Sequence, residues 1–284
     1  MLDALRQALA KAAPSEARRG AICILKFAFC LAGLVLTAAC GARRVPLPTD
    51  PGVPLPDYAA IHDAVTASCR GARTLTAEVG LRGRAGSRRL SGRLVAGFER
   101  PASMRLEAVA PFGPPGFILA ARGDSAVLLL PRDERVVRDQ SAEMILGALT
   151  GVTLAPADLQ SILTGCVVPD PKPVGGRLHS NGWASIDLEG GATVFLRRMG
   201  SWRAVAARRN GWEVDYSAWQ GAFPQVIRLR SESTTADVDM TATLSQIEVN
   251  VDVDPRAFVV DIPPNVTPLS LEELREAGPL GEQQ

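Results

Sequence analysis

At 284 residues, with 46% hydrophobic side chains and a formal charge of +1, the chain is long enough to bury a real core and too evenly charged to bind nucleic acid through phosphate contacts. Its 26 glycines and 21 prolines against 5% aromatics suit many short strands and turns better than a helical bundle. The only histidines, His62 and His179, lie outside any cysteine or carboxylate cluster with metal spacing, and no Gly-x-Ser-x-Gly elbow accompanies either. No catalytic site is assembled, and neither an enzyme nor a cofactor is expected.

The chain opens with Arg18 and Arg19 ahead of a run from Ala21 to Cys40, nearly all apolar and interrupted only by Lys26. Its length would permit a membrane span, but its end reads Leu36-Thr37-Ala38-Ala39-Cys40-Gly41, with small residues directly before a cysteine. That order resembles a bacterial lipobox and favours cleavage over an uncleaved anchor. It implies that residues 1–39 are a lipoprotein signal peptide and that Cys40 carries the lipid. Several acyl chains would anchor stably where one gives only marginal binding. Gly41 rather than aspartate after the cysteine implies the outer membrane, with the domain facing the periplasm. Removal of residues 1–39 leaves 26 basic and 28 acidic residues, a formal charge of −2.

Residues 40–57 hold the lipidated cysteine and a proline-rich tether, semi-rigid at about 3.1 Å per residue. A folded domain is expected over 58–262. Tyr58, Ile61, Ala64 and Val65 share one face of a first helix, with Gly71 as its C-cap. From Thr74 the period changes to two: Leu75, Ala77, Val79 and Leu81, then Leu90, Leu94, Ala96 and Phe98, then Met104, Leu106 and Ala108, read as half-buried antiparallel strands. Two more apolar runs, Phe117 to Ala121 and Ala126 to Leu130, flank Arg122-Gly123-Asp124-Ser125, which reads as a hairpin turn rather than an adhesion motif.

A helical pair interrupts the strands. Ser141 caps the first helix, Met144, Ile145, Ala148 and Leu149 form its stripe, and Gly151 ends it. In the second, Pro156 takes the first helical position, Asp158 sits at the positive end, Leu159, Ile162 and Leu163 form the stripe, and Gly165 stops it. Hairpin signals follow at Asn181-Gly182, Gly190-Gly191 and Asn210-Gly211. His179, beside the first, reads as a solvent-facing strand end. Asp237 with Asp239, and Asp252 with Asp254, read as solvated strand faces rather than a calcium loop. The four tryptophans can face either way. Ser270 and Glu273 cap a short helix in a C-terminal tail, 263–284. A long antiparallel sheet curls and, left open on one side, needs a plug, which the three amphipathic helices supply. Cys69 and Cys166 remain either a disulfide or two buried thiols.

The stretches MRLEAVAPFGPPGFILAARGDSAVLLLP, AEMILGALTGVTLAPADLQSILTG and NGWEVDYSAWQGAFPQVIRLR resemble the LolA/LolB-like lipoprotein-carrier superfamily, over about Leu75 to Val249. The resemblance implies a single incomplete antiparallel β-barrel of about eleven strands, its open face plugged by helices above an apolar cavity for acyl chains. Candidate cavity residues are Leu106, Leu119, Leu128, Met144, Ile145, Leu149, Leu159, Ile162 and Phe195, which otherwise fill a closed core. It also implies a membrane-facing loop over Phe112, Pro114, Pro115 and Phe117, although both phenylalanines can equally be core residues at strand ends. The segment VNVDVDPRAFVVDIPPNVTPLSLEEL runs past the matched region.

The function this implies is a membrane-anchored, monomeric lipoprotein that binds acyl chains and accepts or inserts lipids or lipoproteins at the outer membrane, with a periplasmic carrier as partner. The alternative is a tethered structural or envelope-assembly lipoprotein that uses the barrel to hold a protein partner without lipid transfer.

Overall fold

A computed structural model of the chain describes residues 46–170, 172–232 and 237–277. The signal segment and the proposed lipidation site Cys40 lie outside the described residues. The chain divides into Met1–Pro46 and Leu47–Gln284, and every element below belongs to the second unit.

In chain order the elements are β1 (Val53–Pro54), α1 (Tyr58–Gly71), β2 (Thr74–Ala85), β3 (Arg88–Glu99), β4 (Ser103–Val109), β5 (Ile118–Arg122), β6 (Ser125–Leu130) and β7 (Arg135–Gln140). The helical pair α2 (Ala142–Thr150) and α3 (Pro156–Thr164) follows. Then come β8 (Pro173–Leu178), β9 (Trp183–Leu188), β10 (Thr193–Met199), β11 (Ser201–Arg209), β12 (Trp212–Gln220), β13 (Phe223–Glu232) and β14 (Asp237–Val249). A 3-10 turn (Pro255–Phe258), β15 (Thr267–Pro268) and α4 (Leu271–Ala277) complete the described elements.

All the strands form one open, 15-stranded sheet ordered β1-β8-β9-β10-β11-β12-β13-β14-β2-β3-β4-β5-β6-β7-β15. The count among the described residues exceeds the expected eleven, with β8 to β13 joined by short connections and two-residue strands at both edges. Pairing is antiparallel except for β15, which lies parallel to β7. The hairpin chemistry is visible at Asn210 (φ 50°) and Gly211 (φ 80°), both left-handed, as a two-residue turn between twisted strands requires.

Alternation decides which side is core. Leu75, Ala77 and Val79 of β2 stand opposite Phe98, Ala96 and Leu94 of β3, and Ala96 and Phe98 stand opposite Leu106 and Met104 of β4; all are buried. The helices cover this inner face: α1 packs on β8 and β11, α3 on β13 and α1, and α2 on β5, β6 and α4. Within α1 the buried stripe is His62, Thr66 and Cys69, one position off the expected face, with Tyr58, Ile61 and Val65 half-buried beside it. The helix runs through Gly71, so the C-cap is Ala72. In α2, Ser141 Oγ accepts from the Met144 N–H and Gly151 closes the helix at φ 73°.

Both ends of the described part of the chain take part in the domain. The second half of the proline-rich segment is no free spacer: the Leu55 N–H donates to the Gly176 carbonyl and β1 pairs with β8. At the other end, the segment read as a tail folds into the core. The Leu269 N–H donates to the Val136 carbonyl, Ser270 and Glu273 form the expected capping box, and Leu274 is 0% exposed. Asp252 and Asp254, read as strand residues, follow β14 instead, where Asp254 Oδ1 accepts from the Arg256 N–H and opens the 3-10 turn.

Candidate functional site

Beneath the helical pair lies an apolar cavity of about 120 Å³. Val79 and Leu81 of β2, Leu94 and Ala96 of β3, Leu106 of β4, Leu229 of β13, and Met240 and Ala242 of β14 form its sheet wall. Leu146 and Thr150 of α2, Val152 and Leu154 of the connecting loop, and Leu159 and Leu163 of α3 form its roof. The Thr150 hydroxyl donates to the Leu146 carbonyl, so the one polar side chain of the lining is satisfied within its own helix. A dry, hydrocarbon-lined space of this kind takes apolar ligands without specific hydrogen bonds. At 120 Å³ it lies below the roughly 300 Å³ of small-molecule pockets, so as it stands it encloses only a few carbons of a chain.

The roof is held mainly by apolar packing, with Ile145, Leu149, Ile162 and Leu163 in the core, and by the Cys69–Cys166 disulfide just past its end. Left-handed glycines bound it, Gly151 at φ 73° and Gly165 at φ 97°. Its polar ties to the rest of the domain are few: Asp158 Oδ1 accepts from Arg209 at 2.7 Å, and the Gln160 side-chain amide donates to the Ala72 and Arg73 carbonyls at 3.3 and 3.2 Å.

Of the residues the sequence assigned to a cavity, Leu106 and Leu159 line it. Leu119, Leu128, Ile145, Leu149 and Ile162 belong to the packed core, where α2 sits on β5 and β6 and leaves no such space. Met144 is 45% exposed, because α2 turns Leu146 inward instead. Phe195 faces the outer side of the sheet, with the Arg208 guanidinium 5.8 Å from its ring centre. The sequence placed Val79, Leu81, Leu94 and Ala96 on inward faces, but periodicity carries no mark separating a residue that touches a neighbour from one that borders a void.

The loop after β4 separates its two phenylalanines. Phe117 is 1% exposed and belongs to the core, so it leaves the expected membrane-facing group, while Phe112 is 89% exposed. Pro114 is exposed and Pro115 half-buried. Arg132, in the β6–β7 turn, clasps this loop: its side chain donates to the carbonyls of Phe112 at 2.9 Å and Pro114 at 3.2 Å. Phe112 is thus held outward on a fixed turn.

Cys69 and Cys166 are joined in a disulfide with a Cα–Cα distance of 5.9 Å, inside the range such bonds allow; the bond ties α1 to the segment after α3. Beside it, His62 is 1% exposed with neither ring nitrogen hydrogen-bonded, and burial pushes its pKa down. His179 is buried, not solvent-facing: its Nδ1 lies 3.1 Å from the Asp50 carbonyl and 3.4 Å from Asp50 Oδ1, and its Nε2 lies 2.9 Å from Ser185 Oγ. The order Asp, His, Ser matches a hydrolase relay, yet Ser185 is buried in mid-strand of β9 rather than on the exposed elbow a nucleophile needs. Among the described residues no cluster of histidine, cysteine or carboxylate side chains could hold a metal ion.

The outer face of the second half of the sheet carries a matched ionic network. Arg228 donates two bonds to Asp239, at 2.7 and 2.6 Å, which holds that carboxyl below its usual range. Arg230 bridges Glu213 and Asp215, and burial raises the Asp215 pKa despite this partner. Asp237 pairs with Arg84 at 2.9 Å, so the first aspartate pair is engaged rather than merely solvated. Trp183 lies under the Arg197 guanidinium, whereas Trp202, Trp212 and Trp219 pack against the core.

No protein-family model and no curated protein matches the chain. Among solved structures it is similar to a LolA superfamily protein from Nitrosomonas europaea (TM-score 0.44, 10% identity, 70% of this chain and 97% of that one). A putative outer membrane lipoprotein-sorting protein domain from Vibrio parahaemolyticus matches similarly (TM-score 0.45, 12% identity, 70% and 95%). The Mycobacterium tuberculosis lipoprotein LppX follows at TM-score 0.31 and 15% identity, over 70% of this chain and 99% of that one.

Proposed function

We propose that this chain is a lipid-anchored envelope protein that takes acyl chains into the apolar cavity beneath α2 and α3, and that it accepts or inserts lipids or lipoproteins at the outer membrane without catalysis. The observation that carries the reading is the cavity itself, walled almost entirely by hydrocarbon and roofed by two short helices that few polar bonds hold down. Burial of an acyl chain there gains about 25 cal/mol per Å², which works against the loss of the apolar packing that holds the roof in place. Transfer then runs down an affinity gradient. Anchoring through Cys40 keeps the mouth near the bilayer, and Phe112 on its clasped turn is the residue that enters the headgroup region.

The test is native mass spectrometry of residues 41–284 produced in a periplasm, with and without added fatty acid. A stoichiometric acyl ligand is expected. Ala242→Phe, which projects a ring into the cavity from β14, should abolish uptake at a stability cost of about 1–3 kcal/mol. A clean apo mass that takes up no added lipid would overturn the reading and leave the tethered, partner-binding scaffold as the better account.

A further inference from the structure

We propose that the outer face of the β2–β3 hairpin, together with the adjoining Phe112 loop, docks on an anionic phospholipid surface. The proposal rests on the membrane-anchored reading above but not on the cavity.

The segment 81–93, LRGRAGSRRLSGR, holds five arginines and no acidic residue. Strand alternation sends Arg82 and Arg84 of β2 and Arg89 and Arg93 of β3 to the outer face, since Leu90, Leu94 and Ala96 point into the core. The register sets Arg84 directly opposite Arg89 and Arg82 opposite Ser91. Like charges facing each other across a ladder destabilise it, so nothing in the fold favours that pair. Arg84 finds Asp237 and Arg93 finds Glu78, both at exposed positions. Arg82, Arg88 and Arg89 have no ion-pair partner among the described residues. Elsewhere on the outer face Arg208, Arg228 and Arg230 are each matched to a carboxylate, while Arg197 and Arg203 lie over the rings of Trp183 and Trp219. The hairpin therefore concentrates arginines that have neither kind of partner.

An apolar edge adjoins it. Val109 of β4 stands opposite Arg93, Val95 lies on the same face of β3, and both are exposed. β4 ends at Val109 while β3 continues unpaired on that side from Gly92 back to Arg88, so the basic hairpin projects beside the start of the Phe112 loop. That loop, residues 110–117, carries no charge. Exposed cations beside an apolar tip fit a bilayer interface, where arginines meet lipid phosphate and the aromatic ring enters the acyl boundary.

The full chain bound to vesicles tests this by hydrogen–deuterium exchange, with phosphatidylglycerol:phosphatidylethanolamine compared with pure phosphatidylcholine. Slower exchange is expected on the anionic vesicles at the 85–88 turn and the 110–116 loop, lost in about 1 M salt, where the Debye length is about 3 Å. Arg82→Gln and Arg89→Gln should each lower the protection about fivefold, the effect of one surface cation at an anionic leaflet, while exchange in the rest of the sheet and acyl uptake stay unchanged. Equal exchange on both vesicle types, or a double variant as protected as the parent, would overturn the proposal. Loss of acyl uptake with docking intact would overturn the cavity alone.

Discussion

His62 offers a pH test of the helical plug. Its ring is 1% exposed and neither nitrogen has a hydrogen-bond partner. The adjoining cavity of about 10 Å³ is at the lower limit for a single water. Desolvation lowers the pKa from its ordinary 6.5, the Arg70 charge lowers it further, and Asp63 acts weakly the other way. Because the folded value lies below the unfolded one, the unfolded chain takes up a proton first as pH falls. The folded state is then undisturbed above about pH 6.5 and loses up to about 1.4 kcal/mol per pH unit below it, until the folded value is reached. The lowered carboxyls of Asp239 and Glu273 lose their contributions in a more acidic window, and both parent and variant share that loss. Urea unfolding at pH 7.5, 6 and 5 should show the parent losing stability progressively relative to His62→Leu as the pH falls, with the two nearly equal at pH 7.5, since the leucine breaks no hydrogen bond. Parallel pH profiles for parent and variant would refute the reasoning.

Two further outcomes follow from the packing. Leu274→Ala, at a fully buried position in the last helix, should cost about 2–5 kcal/mol in chemical denaturation; a cost near zero would mean that α4 does not close the core. Replacing Cys69 and Cys166 together by serine opens a link between positions 97 residues apart and should lower stability by about 2–5 kcal/mol, read as a reductant-insensitive midpoint equal to that of the reduced parent.

The strands, the helical pair and its glycine stops were legible because each rests on local pattern: a period of two from Leu75 to Ala108, Ser141 before a stripe, Gly151 and Gly165 after one. What escaped depended on distance through space. Nothing in the spacing of Asp50 and His179 shows that the proline-rich strap lies along β8 and buries the ring. Similarly, Arg132 is an ordinary turn residue in the sequence, and only the adjacency of the two turns makes it a clasp on Phe112. The cavity was the hardest feature to read, since Leu119 and Leu106 stand opposite each other on neighbouring strands with identical patterning, yet one is packed and the other borders the space.

The two-residue strands that finish the sheet come from opposite ends of the domain, one before α1 and one just ahead of α4. Between them, β8 and β7 would present bare hydrogen-bonding rims, the template along which one chain recruits another. A nascent domain of this kind therefore stays adhesive along β7 until residues 267–277 have been made, and a protease that trims either end would bare a rim along which a neighbouring chain can add a strand.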